Sequence, residues 1–267
     1  MKNKLVIVTG ASSGIGKACS IAFAKKGANL VLAARSADKL NEISKEILLL
    51  GVQVLCVPTD VSKEAECKIL MDKTLDKFGK IDVLVNNAGI SMRAAFVDLD
   101  LQVLKKVMDV NFWGTVYCTR YAIKSILENK GSVVGVSSIA GYKGLPGRTG
   151  YSSSKFAMHG FLEALRIENL KKDLHVLLAC PGFTASNIRN TALAADGSSQ
   201  GETPRDEQKM MQPEEVADAI VGAVIKRKDR LTLTLNGKLT VFLNKFFPKW
   251  VDKLVYKHMS KEPDSPF

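Results

Sequence analysis

The chain has 267 residues, of which 46% are hydrophobic and 24% are charged, and its formal net charge is +11. This length and balance fit one globular domain over 1–267. Ten Lys or Arg and two acidic residues lie from Lys226 to Lys261, a net charge of +8, so the main body is close to neutral and we expect no nucleic-acid partner. No apolar run reaches membrane-spanning length and the five cysteines are scattered, so we expect a cytoplasmic protein with reduced thiols and no signal peptide.

The chain starts with a short β-branched run, 5–9, followed by small residues and then a helical pattern. This order predicts a buried strand, a tight turn and a helix N-terminus. Glycines spaced G-x-x-x-G-x-G leave room for a phosphate group, whose charge the first helix amides and the helix dipole would hold. An ordinary strand-to-helix loop is the alternative. The predicted phosphate turn is Gly10-Ala11-Ser12-Ser13-Gly14-Ile15-Gly16.

The second predicted strand, 29–34, ends where a dinucleotide-binding protein selects its cofactor. A carboxylate there would bind a free ribose 2′-OH, whereas a cation suits a 2′-phosphate. This chain has Arg35 and no acid at that point, so Arg35 is predicted to bind the 2′-phosphate of NADP(H). A solvated loop charge is the alternative, and NAD(H) is the alternative cofactor.

Asp60 and Val61 follow a helix predicted over 37–50 and a strand predicted over 52–57. The carboxyl end of a strand lies on the ligand side of an open α/β sheet, so Asp60 can accept a hydrogen bond from an adenine amino group. Capping the next helix, predicted over 62–78, is its alternative role.

A strand predicted over 81–85 runs into Asn86-Asn87-Ala88-Gly89. Paired asparagines beside a buried strand need hydrogen bonds, so we predict that they fasten the strand end and the neighbouring turn. A helical pattern from 101 to 129 is then interrupted by Asn111, a polar residue in an apolar stretch, which should kink the helix or hold a water.

Tyr151 and Lys155 lie four residues apart on a helix predicted over 151–170, and so share one face. An ammonium beside a phenol lowers the phenol pKa, so Tyr151 can exchange a proton with a carbonyl oxygen. Ser138, after a strand predicted over 132–137, would donate a second hydrogen bond to that oxygen. Taken alone, a surface Tyr–Lys pair is the alternative.

The remaining pattern alternates strands and helices, and the three histidines (His159, His175 and His258) are expected to be packed or surface residues rather than bases. No cluster has metal-ligand spacing, so no metal is predicted. The alternation predicts an α/β, doubly wound parallel sheet of about seven strands with helices on both faces. The later predicted elements are a strand over 175–180 ending in Pro181-Gly182-Phe183-Thr184, a loop over 190–212, a helix from Pro213, a strand over 231–235 and a C-terminal helical extension over 238–267.

From Leu5 to about Leu235 the chain resembles a single-domain short-chain dehydrogenase/reductase. The resemblance rests on the joint order of Thr9-Gly-x-x-x-Gly-x-Gly16, Asp60, Asn86-Asn-Ala-Gly89, Asn111, Ser138, Tyr151-x-x-x-Lys155 and Pro181-Gly182. It implies a Rossmann-type fold and an NADP(H)-dependent oxidoreductase that interconverts a carbonyl and a secondary alcohol. A non-catalytic dinucleotide-binding sensor or scaffold is the alternative outside this class.

The resemblance also implies residue roles. The catalytic tetrad would be Asn111, Ser138, Tyr151 and Lys155, with a water on Asn111 and the nicotinamide ribose on Lys155. Asn87 would line the cofactor and the segment 181–186 would meet the carboxamide, where Thr184 and Ser186 compete. Ser13 stands where NADP-preferring members often carry a base, so only Arg35 supports that preference. Ser138 is chosen over Ser137 on the family spacing to Tyr151 and on strand alternation.

Two apolar surfaces predict partners. The helix 151–170 has more apolar surface than one sheet face covers, and because the family often pairs this helix across a two-fold axis we expect a homodimer or homotetramer. A neighbouring helix that covers it is the alternative. The side chains concerned are Phe156, Phe161, Leu162, Leu165 and Ile167.

The C-terminal extension has an apolar stripe at 239–247, namely Leu239, Phe242, Leu243, Phe246 and Phe247. After Pro248, three lysines oppose Trp250, Leu254 and Met259. We favour packing over a substrate mouth or a neighbouring subunit; the alternative is an interfacial helix on the inner face of an anionic membrane. The substrate cannot be identified from the sequence, although Met92, Phe96, Leu145 and Phe183 in the surrounding loops suggest an apolar one.

Overall fold

Seven parallel strands form one sheet within residues 1–201 and 210–267, the part of the chain that the computed structural model describes. Their spatial order is β3-β2-β1-β4-β5-β6-β7, so the order reverses between β1 and β4 and opens a ligand crevice at the carboxyl edge. This confirms the predicted doubly wound α/β fold. The strands are β1 (Leu5–Thr9), β2 (Asn29–Ala34), β3 (Val54–Pro58), β4 (Val83–Asn86), β5 (Ser132–Val136), β6 (His175–Cys180) and β7 (Arg230–Thr232).

Helices cover both faces of the sheet, so the inner strands are buried on both faces; β1, for example, is buried at every residue. One apolar cluster packs α1, α2 and α7 on the sheet, and a second packs α3, α5 and α6 on the other face. The helices are α1 (Gly14–Lys25), α2 (Ala37–Leu48), α3 (Glu64–Phe78), α4 (Leu101–Met108), α5 (Gly114–Glu128), α6 (Thr149–Glu168), α7 (Pro213–Ile225), α8 (Leu235–Phe246) and α9 (Pro248–Met259).

The predicted interruption at Asn111 is one turn of π-helix, Asp109–Trp113, between α4 and α5. Asn111 is buried in this wider turn, and its side-chain amide forms hydrogen bonds with Ile90 and Ser154 rather than with the helix backbone. Single π turns inside α-helices are frequent at functional sites. The polar residue therefore changes the helix geometry, as the sequence predicted.

The prediction that the last strand, 231–235, ends at residue 235 is wrong. β7 stops at Thr232 and α8 begins at Leu235. The Thr234 hydroxyl accepts a hydrogen bond from the Gly237 amide at 3.0 Å and so caps this helix. Within the predicted loop 190–212, residues 190–201 and 210–212 form turns and isolated bridges, and the rest lies outside the described residues.

All five cysteines lie in the described part of the chain and are free thiols; four are buried and Cys56 is half-buried. No described helix is long and apolar enough to cross a membrane. On α6, Leu162 is buried against the sheet, whereas Phe156 and Ile167 are exposed. The predicted homodimer or homotetramer therefore has an apolar surface available and stays a prediction.

Candidate active site

The turn between β1 and α1 lies at the carboxyl edge of the sheet. Gly10 has a φ of +64°, and a Cβ on it would stand 2.9 Å from the Ala88 Cα. A Cβ on Gly16 would stand 2.1 Å from the Gly10 carbonyl oxygen, so both positions require glycine. Ser13 precedes α1 without capping it by a side-chain hydrogen bond, so the first amides of α1 suit a phosphate group.

A cleft of about 550 Å³ runs from this turn along the sheet edge. Gly16 packs against the Gly10 carbonyl and does not line the cleft, and Pro181 and Gly182 line a second cavity. Thr184 lines neither: it is buried, and its hydroxyl donates to the Gly182 carbonyl at 3.2 Å, whereas Ser186 lines the cleft. The predicted cofactor residues in the cleft wall are Gly10, Ser12, Ser13, Gly14, Ile15, Arg35, Asp60, Val61, Asn87, Ala88 and Gly89.

Arg35 lies in the cleft wall together with Lys39, which the sequence analysis missed. The Ser36 side chain accepts a hydrogen bond from the Lys39 amide and caps α2, so Lys39 falls in the first turn, four residues after Arg35. The signal that could have found it is a second cation in the first turn of the helix that follows the predicted cofactor-selecting strand. Two cations at one end of the cleft suit a phosphate group.

Asp60 lines the same cleft, but it does not cap the next helix, which begins at Glu64 after Lys63. Its Oδ1 accepts from the Ser62 amide at 3.0 Å and from the Ser62 hydroxyl at 2.7 Å. Burial alone would raise the pKa of Asp60, but these bonds and the charges of Arg35 and Lys63 lower it below its usual value. The carboxylate is thus an ionised acceptor in the cleft.

The paired asparagines fasten the end of β4, as predicted. Asn87 Nδ2 donates to the Thr9 carbonyl at 2.9 Å, and the backbone amides of Asn87 and Ala88 both donate to the Thr9 hydroxyl at 3.0 Å. Asn86 Nδ2 donates to the Thr119 hydroxyl at 3.1 Å. The bonds of Asn87 and Ala88 hold the end of β4 against β1 beside the phosphate turn, and the bond of Asn86 holds it against α5.

Asn111 and Lys155 meet around Gly89. A Cβ on Gly89 would stand 3.2 Å from Asn111 Oδ1 and 3.7 Å from Lys155 Nζ. Asn111 Oδ1 accepts from the Ile90 amide at 2.8 Å, and its Nδ2 donates to the Ile90 carbonyl at 3.0 Å and to the Ser154 hydroxyl at 2.9 Å. Protein groups therefore hold this amide on both sides, and a water on it stays a prediction.

The two adjacent serines face different partners. Ser138 Oγ accepts from the Ala140 amide at 3.2 Å, and Ser138 lines the second cavity close enough to the Tyr151 phenol to lower its pKa. Ser137 is buried, and its Oγ lies 2.7 Å from His159 Nε2. The arrangement brings Ser138, and not Ser137, together with Tyr151.

Burial governs the pKa values of the Tyr151–Lys155 pair. It raises the pKa of Tyr151, although the nearby Ser138 hydroxyl and the charges of Arg148 and Arg189 act in the opposite direction. Burial also lowers the pKa of Lys155 to about 8. Its Nζ lies 5.6 Å from the Tyr151 ring centroid and donates to the Val136 carbonyl at 2.9 Å. The prediction that Lys155 lowers the pKa of Tyr151 is wrong for the folded chain, because the desolvation of the phenol dominates.

His159, one turn beyond Lys155, is packed rather than free to act as a base, as predicted. Burial lowers its pKa to about 4, so it is neutral at physiological pH. His175 bonds the Ser132 hydroxyl and the Lys228 carbonyl, and burial lowers its pKa as well. Among the residues that the structure describes, no group of three His, Cys, Asp or Glu side chains is arranged to hold a metal ion.

The second cavity has a volume of about 770 Å³, and Ser138 lies in its wall. Leu145 and Phe183 line it as predicted, whereas Met92 is buried in a separate apolar cluster and Phe96 is exposed. The tail helices α8 and α9 form much of its wall, through Leu239, Leu243, Val251, Leu254 and Val255. The C-terminal extension thus closes over this cavity.

Known proteins are similar in sequence to this chain. The profile of the short chain dehydrogenase family matches residues 4–196. "Dehydrogenase/reductase SDR family member 7B" of Bos taurus is 35% identical over 273 residues, which cover 99% of this chain and 84% of that protein. "11-beta-hydroxysteroid dehydrogenase A" of Sesamum indicum is 35% identical over 271 residues, which cover 98% of this chain and 78% of that protein.

Solved structures share the fold. An alcohol dehydrogenase from the archaeon Thermococcus sibiricus, complexed with 5-hydroxy-NADP, is 27% identical with a TM-score of 0.76, over 87% of this chain and 96% of that chain. A short chain dehydrogenase/reductase from Burkholderia phymatum, in complex with NAD, is 24% identical with a TM-score of 0.83, over 93% of this chain and 95% of that chain.

Proposed function

The chain belongs to the short-chain dehydrogenase/reductase family and is an NAD(P)-dependent oxidoreductase, and on this premise we propose that it interconverts an apolar ketone and its secondary alcohol with NADP(H). One observation carries the proposal. Ser138 lies in the wall of the apolar cavity next to the Tyr151 phenol, and Lys155, one turn along the same helix, lies against Gly89 of the cleft. The carbonyl would therefore be held at Ser138 and Tyr151, and a nicotinamide at Lys155 and Gly89.

The residues of the cleft fit a dinucleotide phosphate. The glycine turn and the uncapped amides of α1 would hold the pyrophosphate. Arg35 and Lys39 would bind a 2′-phosphate, and the ionised Asp60 would accept from the adenine amino group. The Thermococcus sibiricus relative, described as complexed with 5-hydroxy-NADP, supports NADP(H). NAD(H) is the second candidate.

Tyr151 would act as the general acid and base. Its raised pKa keeps the proton on the phenol at neutral pH, as proton donation to a carbonyl oxygen requires. Ser138 would donate a second hydrogen bond to that oxygen as negative charge develops on it. NADP(H), when bound, supplies or accepts the hydride. Lys155 would hold the nicotinamide ribose, and its bond to Val136 fixes its position.

The cavity indicates the substrate class. Its volume, about 770 Å³, is that of a site for a drug-sized ligand, and leucine and valine side chains from α8 and α9 dominate the wall that those helices form. The Sesamum indicum relative is described as an 11-beta-hydroxysteroid dehydrogenase, which fits a bulky apolar alcohol. We propose a ketone or secondary alcohol of several rings or a long chain.

Turnover by the purified full chain tests this function. The loss of NADPH absorbance is followed with a panel of bulky apolar ketones and, in parallel, with NADH. Tyr151→Phe is expected to lower kcat by about 10²–10⁴-fold while NADPH binding is retained, because it removes the proton and little volume. Tyr121→Phe is the matched control, since its hydroxyl bonds Glu64 at the surface at 2.8 Å.

Each contrary result has a distinct meaning. A Tyr151→Phe enzyme with near-normal kcat refutes the assigned mechanism. Turnover with NADH but not with NADPH refutes the cofactor preference. Tight NADPH binding with no turnover of any ketone in either direction supports the sensor or scaffold alternative instead.

A further inference from the structure

The tail helices expose an apolar surface, which we call the tail face. On α8 its members recur at i, i+4, i+7 and i+11, and so share one side of the helix. Across the tail face the exposed fractions of these side chains range from 44% to 80%, although the residues are large and apolar. The tail face consists of Leu235, Leu239, Phe242, Phe246, Phe247, Trp250 and Leu254.

Packing of the opposite side holds α8 in this orientation. Gly237 is buried, and a Cβ on it would stand 2.7 Å from Ile139 Cδ1. Asn244 Nδ2 donates to the Tyr142 carbonyl at 3.2 Å. The sequence analysis favoured packing for the apolar stripe, but in the structure much of that stripe points away from the body. The tail face is therefore presented outward on a fixed support.

The lysines of the tail helices are exposed and, within residues 1–201 and 210–267, form no ion pair. Asp252 is the acid among them, and it pairs with Lys143 at 2.5 Å. A second copy placed on this face across a two-fold axis would bring together two pairs of tail helices that each carry an excess of positive charge, which is unfavourable. Anionic lipid headgroups complement both the cations and the apolar side chains. The lysines are Lys238, Lys245, Lys249, Lys253 and Lys257.

The tail face also borders the apolar cavity. Leu239 and Leu254 belong to the tail face and line the cavity that contains Ser138, and both are about half exposed. The cavity therefore adjoins the tail face. We propose that the tail face docks on an anionic membrane leaflet, and that the apolar substrate enters the cavity directly from the lipid. The docking stands alone, whereas the substrate route rests on the proposed function.

Sedimentation with vesicles tests the docking on the full chain. Vesicles of phosphatidylcholine with phosphatidylserine are expected to pellet the protein, and vesicles of phosphatidylcholine alone to bind it far more weakly. Raised salt should release it, because the lysine contribution is screened. Lys245→Glu/Lys249→Glu is expected to weaken anionic vesicle binding by roughly thirtyfold, since each lysine contributes about a fivefold factor.

The apolar contribution is tested separately with Phe242→Gln/Phe246→Gln, which is expected to weaken vesicle binding by at least about tenfold. Neither side chain lines the cavity. The matched control is Leu49→Gln/Lys171→Glu, which removes an apolar side chain that is 88% exposed and an exposed lysine from other parts of the surface. Retained NADPH binding by every variant shows that its fold is intact.

The outcomes separate the two parts of the proposal. Wild-type protein that stays in the supernatant with anionic vesicles overturns the docking. The docking is also overturned if the wild type does not bind vesicles and the Phe242→Gln/Phe246→Gln variant has a lower oligomer mass than the wild type. These two results together would assign the tail face to a subunit interface.

The substrate route is tested with a bulky ketone dissolved in anionic vesicles. Its apparent KM should rise about tenfold in the Phe242→Gln/Phe246→Gln variant, while a short water-soluble ketone is unaffected. Equal KM values for the vesicle-bound ketone would overturn the route. Absence of turnover with both ketones would refute the proposed function, and the sedimentation result would still stand.

Discussion

Replacing Lys155 with methionine is expected to stabilise the fold at neutral pH while it abolishes turnover. Lys155 is buried, with 3% of its surface exposed. Within the described part of the chain, the Val136 carbonyl is the one group to which its ammonium donates a hydrogen bond. Burying a charge with so little compensation is unfavourable. Methionine has a similar length and no branch, so it can occupy the same space without the charge.

The magnitude follows from the pKa. Burial lowers the pKa of Lys155 from 10.5 to about 8, which corresponds to about 3 kcal/mol by which the charged lysine destabilises the folded state. Methionine leaves the Val136 carbonyl without a partner, and this loss costs about 1–2 kcal/mol. Lys155→Met should therefore raise the free energy of unfolding by about 1–2 kcal/mol at pH 7.

The sign of the pH dependence follows from proton binding in the two states. Below about pH 8 the folded and unfolded chains both keep the Lys155 proton, so the destabilisation is complete. Between about pH 8 and 10.5 the folded chain releases the proton and the unfolded chain retains it, so the wild type gains stability as the pH rises. From pH 8 to 9.5 this gain relative to Lys155→Met should be about 2 kcal/mol.

Urea denaturation of both proteins at several pH values between about 7 and 9.5 measures the difference, because thiols and other phenols titrate equally in the two chains. Lys124→Met, at an exposed position, is the control and should follow the wild type. Parallel stability curves for wild type and Lys155→Met would refute the reasoning. A Lys155→Met protein several kcal/mol less stable at pH 7 would do the same, because the ammonium would then stabilise the fold.

Three further substitutions test the cleft and its support. Arg35→Ala should weaken NADPH binding by about 10–100-fold and NADH binding little, because a charged hydrogen bond to the 2′-phosphate contributes about 1.5–3 kcal/mol; equal losses in titrations of both cofactors would contradict this. Gly16→Ala should lower the melting temperature sharply, since its Cβ would stand 2.1 Å from a backbone oxygen, whereas Gly160→Ala meets nothing within 4 Å and serves as the control. Asn111→Ala should lower the free energy of unfolding by about 2–3 kcal/mol, because the amide and carbonyl of Ile90 both lose their partner; a loss below about 0.5 kcal/mol in urea would contradict the geometry.

Features set by short-range signals could be predicted from the sequence. The buried strand β1 and its glycine turn follow from a β-branched run and from positions where a Cβ has no room. The shared helix face of Tyr151 and Lys155 follows from their spacing. The interruption of the helix at Asn111 could be predicted because Asn111 is polar in an apolar stretch and a buried amide needs hydrogen-bond partners; in the structure the interruption is a π turn.

Features that depend on packing between distant segments could not be predicted from the sequence. The start of α2 at residue 37 was predicted correctly, but the sequence did not show that the first turn of this helix places Lys39 in the cleft wall. The direction of the Tyr151 pKa depends on how completely the folded chain desolvates the phenol, a property of many contacts at once. The sequence also could not orient the tail helices, because a stripe such as the one containing Phe242 fits burial and exposure equally well.

The site residues are held by the backbone groups that they satisfy. Lys155 bonds the Val136 carbonyl where β5 ends, and Asn111 bonds both backbone groups of Ile90 just after Gly89. Val136 is the last residue of β5 and Ile90 lies in the loop after β4, so their main-chain groups need side-chain partners. The same bonds fix each side chain in place. A substitution that removes the polar group of Lys155 or Asn111 therefore changes both the stability of the fold and the chemistry of the site. Tyr151→Phe removes only a proton donor, so only this substitution isolates the chemical step.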